Sequence, residues 1–177
     1  MVFLQYLLPQ HFLSRLMFRF ARIEKTWVKN NFTRWFVKQY QVNLAEAEIE
    51  NIEDFIHFND FFTRALKPSL RPISESEIIS PVDGVVSQAG KINDSQIVQA
   101  KGRHYSVSSL IDDTPSKEIQ NGSFATIYLS PKDYHRIHMP CDGTLISMKY
   151  IPGDLFSVNQ NTVDNICLLY TSPSPRD

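Results

Sequence analysis

The hydrophobic pattern changes period once along this chain, and no other feature constrains its fold as strongly. Through about Lys38, and again from Asp54 to Ala65, apolar residues recur at three-and-four spacing, as on one face of a helix. In the second stretch Phe55, Phe58, Phe61, Phe62 and Leu66 make up that face, and Lys67-Pro68 and Arg71-Pro72 end it. From Ile78 onward the pattern becomes short β-branched runs between turns: Gly84-Val85-Val86, Gln96-Ile97-Val98, Phe124 to Leu129, and Thr144-Leu145-Ile146. Helices followed by a β-rich body predict an α+β fold. The expected organisation is a helical region over 1–52, a β-rich domain over 53–166, and a tail over 167–177 where composition turns to Ser and Pro.

The helical front carries two kinds of residue. Phe3, Leu4, Tyr6, Leu7, Leu8, Phe12, Leu13, Leu16, Met17, Phe18 and Phe20 supply apolar surface. Arg15, Arg19, Arg22, Lys25, Lys29, Arg34 and Lys38 interleave with it, against the single acid Glu24. Such an amphipathic pattern suits a helix lying in an anionic lipid interface. The alternative is a helix that packs Trp27, Trp35 and Phe36 on the domain behind it. No run of about 18 uncharged apolar residues occurs, so a membrane-spanning segment is not expected, nor is a signal peptide. The basic front is offset by Glu46, Glu48, Glu50, Glu53 and Asp54, which brings the formal net charge of the 177 residues to -1. No nucleic-acid partner is expected. Cys141 and Cys167 form no disulfide framework, which suits a reducing compartment.

Chemistry concentrates between Tyr128 and Asn159. His135 and His138 share a face if the backbone coils and oppose each other if it is extended, and Pro131 and Pro140 bracket the pair. An imidazole titrates near neutral pH and can move a proton there. Upstream, Ser80-Pro81-Val82-Asp83-Gly84 reads as a tight turn presenting a carboxylate, which could orient an imidazole or simply cap its own turn. The same three residues, Asp83, His135 and His138, could instead ligate zinc in a hydrolase, although His-x-x-His spacing alone is permissive.

Five ordered segments resemble bacterial phosphatidylserine decarboxylase proenzymes: FNDFFTRALKPSLRPI, SPVDGVVSQAG, IVQAKGRHYSV, NGSFATIYLSPKDYHRIHMPCDG and IPGDLFSVN. The resemblance implies a lyase made as an inactive chain that cleaves itself before a serine in a Gly-Ser-Thr type motif. That serine becomes a covalent pyruvoyl group, on which phosphatidylserine is decarboxylated through a Schiff base to phosphatidylethanolamine. Asp83 and His138 match the acid and base of self-cleavage, and His135 matches a histidine that assists the substrate step. Ser157 falls where the family lines its site, though an ordinary loop hydroxyl fits equally. No resident metal is implied.

The resemblance further implies a peripheral protein on the cytoplasmic side of the inner membrane. Its partners would be phosphatidylserine in an anionic bilayer and the C-terminal α chain of the same proenzyme, with a homodimer left open. The departure from the family pattern comes after Ile166. Gly122-Ser123 is followed by Phe124, no Gly-Ser-Ser or Gly-Ser-Thr occurs, and Cys167 to Asp177, read by eye, resembles no segment of the family pattern. The tail is therefore expected to be foreign, the β domain incomplete, and the chain as written unable to form its pyruvoyl group. A non-enzymatic membrane-binding module is the alternative on that account.

Overall fold

A computed structural model of the chain describes residues 9–98, 104–111, 113 and 117–151. They form a mixed α+β architecture: helices α1 (Gln10–Ala21), α2 (Thr26–Tyr40), α3 (Phe58–Phe62), α4 (Val107–Ile111) and α5 (Lys117–Gln120), and strands β1 (Val85–Lys91), β2 (Gln96–Val98), β3 (His104–Ser106) and β4 (Ser123–Tyr128). The chain divides into two compact units, one built from 14–85 with 128–145 and one built around 86–127. The foreign-tail expectation for 167–177 lies outside the described residues.

In the first unit an aromatic core sets the arrangement. Phe36 of α2, Val42, Phe55 and Phe61 are buried together, with Val37, Leu44, Phe58 and Phe62 packed around them. The ring centroids of Phe36 and Phe58 are 5.1 Å apart and those of Phe55 and Phe61 5.6 Å, both edge-on, the favourable arrangement for aromatic quadrupoles. Helix α2 closes with Gln41 in the left-handed region, and the Val42 N–H returns to the Val37 carbonyl at 3.1 Å. This places Val42 against the core, the apolar contact that accompanies such a helix end.

The helix expected over Asp54 to Ala65 is much shorter. Ile52–Asp54 forms a separate 3-10 turn, Phe55 is extended to reach the core, and only Phe58–Phe62 is α-helical. His57 starts it: its Nδ1 accepts the Asp60 N–H at 3.0 Å, while Asp60 Oδ2 accepts the Ile56 N–H at 3.0 Å. The first bond is a side-chain N-cap and the second ties the residue before the cap to the first turn. The helix ends because the next residues are claimed by a β-type pairing. Glu48 N–H donates to Ala65 O and Lys67 N–H to Glu46 O, each at 2.9 Å, bridging Ala47 to Leu66 in antiparallel sense. Ala47 is 0% exposed, so tertiary pairing overrides helical periodicity here.

In the second unit β1 pairs with β4, and β2 pairs antiparallel with β3 in the register Gln96↔Ser106, Ile97↔Tyr105. Ile92, Ile97 and Val107 are buried together, flanked by Leu110, Ile111 and Phe124. Gly90 admits the Phe124 ring, whose nearest carbon would lie 3.4 Å from any Cβ placed there. The strand expected at Thr144-Leu145-Ile146 does not form. The segment pairs with no other among the described residues, and Leu145 and Ile146 are 79% and 93% exposed.

Phe61 is 0% exposed at the centre of the first unit. Phe61→Ala is expected to destabilise that unit by about 3–5 kcal/mol. Urea unfolding followed by the fluorescence of Trp27 and Trp35 measures this; a loss well under 1 kcal/mol would mean that the core does not depend on Phe61.

Candidate active site

Asp83, His135 and His138 all lie in the first unit. Two backbone bonds join the segments that carry them. Ile79 N–H donates to Pro140 O and His138 N–H donates to Pro81 O, each at 2.8 Å. These are alternate rungs of an antiparallel ladder, pairing residue 79 with 140 and 81 with 138. Each rung has one bond because its reciprocal donor would be the amide hydrogen of Pro140 or Pro81, which proline lacks. The prolines read from sequence as turn markers thus sit within the join. It sets His138 across from Pro81, two residues before Asp83.

The side chains are engaged separately. Asp83 Oδ2 accepts from Arg71 Nε at 2.7 Å. His138 Nε2 lies 2.9 Å from Tyr134 Oη, with the two rings stacked at 22° and 5.5 Å. No hydrogen bond joins the Asp83 carboxylate to His138. His135 Nδ1 lies 2.8 Å from the Asp133 carbonyl, which can only accept, so Nδ1 carries the hydrogen and Nε2 is the basic nitrogen of the neutral ring. The His135 ring packs on Phe62 at 4.1 Å. The backbone join thus brings the Asp83 and His138 segments together, while the His135 ring packs against Phe62, which borders the aromatic core. Ser157 lies outside the described residues. Among the described residues no three His, Cys, Asp or Glu side chains are grouped to hold a metal, so Asp83, His135 and His138 do not assemble the zinc site of the alternative hydrolase.

The histidine segment is fastened to the end of α3 by two arginines. Arg64, only 5% exposed, donates through Nη2 to the carbonyls of Lys132 and Asp133 at 2.9 and 3.4 Å. Arg136 Nε donates to Thr63 O at 2.8 Å. Asp133 Oδ2 accepts the Ser130 N–H at 2.7 Å and closes the turn between them. Burial lowers the Arg64 pKa from its ordinary value, and the nearby charges of Asp133 and Glu46 partly offset this.

Arg71, Glu46, Tyr134 and Arg64 carry no signal in the sequence that marks them as site residues. Arg71 stands in Leu70-Arg71-Pro72, a context that signals only a helix end. It bridges two carboxylates, since Nη2 also donates to Glu46 Oε2 at 2.7 Å. The hydrogen bond from Arg71 holds the Glu46 carboxyl below its ordinary value of 4.5, against an opposing effect of desolvation. The bonds to Glu46 and then Asp83 raise the Arg71 guanidinium.

Because the Glu46 pKa is lower folded than unfolded, its contribution is complete above 4.5 and disappears as pH falls through the folded value. The chain is expected to lose stability in that acid window, and Glu46→Gln to lose less. Urea midpoints measured stepwise from neutral pH downward check this; parallel profiles for the two proteins would contradict it.

Residues 58–172 match the family model described as phosphatidylserine decarboxylase, and residues 1–41 match one described as PSD. The chain is 52% identical over 165 residues to a phosphatidylserine decarboxylase proenzyme of Methylobacillus flagellatus, covering 92% of this chain and 59% of the relative. It is 54% identical over 170 residues to that of Pseudomonas entomophila, covering 94% and 59%, and 53% identical over 169 residues to that of Shewanella amazonensis, covering 92% and 58%. The chain spans about three-fifths of the length of these relatives. With most of its length matched in this way, the chain belongs to the phosphatidylserine decarboxylase family.

Proposed function

We propose that this chain is the front portion of a self-processing phosphatidylserine decarboxylase that makes phosphatidylethanolamine. The observation that carries the proposal is the 2.8 Å bond from His138 N–H to Pro81 O, which joins the base-bearing segment to the acid-bearing turn inside the matched region. In self-cleavage His138 takes the proton of the incoming serine hydroxyl, and Asp83 orients the imidazole and stabilises the imidazolium that forms. Tyr134 already sets a hydroxyl 2.9 Å from His138 Nε2, the geometry that a serine would need. His135, fixed by the Asp133 carbonyl and backed by Phe62, holds or delivers a proton at Nε2 in the substrate step.

A pyruvoyl group supplies the electron-withdrawing carbonyl that receives the electron pair left when carbon dioxide departs. The residues present fit its formation in one respect, a base and an acid on joined segments. The serine that would become the group is not in a Gly-Ser-Thr context anywhere in the 177 residues. Its partner in the working enzyme is then the C-terminal chain released by cleavage, with Ser157 proposed to line the substrate side.

The chain's contribution to membrane docking is proposed to be α1. Phe12, Leu16 and Met17 are each more than half exposed, and Arg15, Arg19 and Arg22 lie among them. No helix of the described residues is long and apolar enough to cross a membrane. An interfacial helix is the reading that uses both the exposed apolar groups and the cations, on the cytoplasmic face of the inner membrane.

Two measurements test these proposals. The chain is fused to the remaining two-fifths of the Methylobacillus flagellatus relative and self-cleavage is followed on a denaturing gel. Asp83→Asn and His138→Ala are expected to slow cleavage by about 10²–10⁴-fold, while His135→Ala cleaves normally and releases carbon dioxide from phosphatidylserine more slowly. Cleavage of Asp83→Asn at the parent rate would overturn the assignment. For docking, co-sedimentation with anionic vesicles is expected at low salt and to weaken both at high salt and in the Phe12→Ser, Leu16→Ser, Met17→Ser triple variant; equal binding by the triple variant would remove α1 from the interface.

A further inference from the structure

Every nitrogen of the Arg71 guanidinium is committed. Nε donates to Asp83 Oδ2 at 2.7 Å, Nη2 to Glu46 Oε2 at 2.7 Å, and Nη1 to the carbonyl of Leu70 at 3.1 Å. A planar fork held at three acceptors cannot swing as a lone surface ion pair does, because moving one arm strains the others. Its mounting is equally constrained. Pro68 and Pro72 set φ on either side, and the Lys67 N–H to Glu46 O bond of 2.9 Å ties the start of this segment to the residue that Arg71 also grips by its side chain. Glu46 itself precedes Ala47, whose bridge to Leu66 is part of the buried structure.

Asp83 completes the geometry. Arg71 occupies Oδ2, and the carboxylate makes no other side-chain hydrogen bond among the described residues. Oδ1 is therefore the oxygen left to accept an imidazole N–H. We propose that Arg71, braced by Glu46, is the positioning residue of the self-cleavage relay: it holds Asp83 Oδ2 so that Oδ1 is presented to His138. This rests on the roles proposed above for Asp83 and His138. Glu46 acts one step further out, through its hydrogen bond to Arg71. Lysine cannot take the place of Arg71, since one ammonium on a flexible stem lacks the fork that spans two carboxylates.

The test uses the same full-length fusion, with self-cleavage rate and thermal midpoint recorded for each variant. Arg71→Met is expected to slow cleavage by about 10²-fold, the scale of a small misplacement of a reacting group. Arg71→Lys should fall between it and the parent. Glu46→Gln should slow cleavage less than Arg71→Met, and adding it to Arg71→Met should slow it no further, because Glu46 reaches Asp83 through Arg71. Cleavage of Arg71→Met at the parent rate while Asp83→Asn is blocked overturns the inference and leaves the Asp83 and His138 roles standing. Parent-rate cleavage of Asp83→Asn overturns those roles instead. Additive losses in the double variant, or rates that merely follow the thermal midpoints, assign Arg71 to general stability and also overturn the inference. If Arg71→Met does not melt cooperatively, Arg71→Lys and Glu46→Gln decide: rates equal to the parent's in both overturn the inference, and slowed rates at unchanged midpoints support it.

Discussion

The pairing of residues 46–48 with 65–67 is the constraint on which the rest of the first unit depends. Its two backbone bonds and the fully buried Ala47 stop α3 after Phe62 and turn the chain back. Stopping there is what frees the Thr63 carbonyl and the Arg64 side chain to hold the histidine segment. The same pairing fixes Glu46, and through Glu46 the guanidinium that reaches Asp83. A helix running on to Ala65 would break this pairing and leave the two site segments without their anchors.

The core and the anchors divide the work by chemistry. Apolar burial around Phe36 and Phe61 supplies non-directional stability, while the arginines supply direction. Arg64 is costly in this role because burial disfavours its charge, and its Nε and Nη1 have no acceptor among the described residues. Arg71 is half exposed, so its two ion pairs contribute geometry more than stability.

Local periodicity revealed which elements exist, but not where they stop. The aromatic face over Phe55 to Phe62 was legible, since Phe55, Phe58, Phe61 and Phe62 all enter or border one core. Its helical length was not, because the competing pairing with Glu46 to Glu48 is remote in sequence. The strands at Gln96 to Val98 and Ser123 to Tyr128 were legible from β-branched runs, whereas Thr144 to Ile146 carries the same composition without a pairing strand among the described residues. At the site, histidines and an acid on a Pro/Gly turn announce themselves by residue type. Arg71 and Tyr134 do not: an arginine before proline and a tyrosine in a loop acquire meaning only from what the fold sets opposite them.

The two prolines in the join have a consequence for how its integrity can be read. A regular two-rung join would hydrogen-bond four amide hydrogens; this one engages those of Ile79 and His138 alone. Solvent exchange at these two amides therefore reports opening of the acid-bearing turn from the histidine segment, separately from unfolding of the aromatic core. The base of the proposed relay carries, on its own backbone, the hydrogen that records whether its acid is beside it.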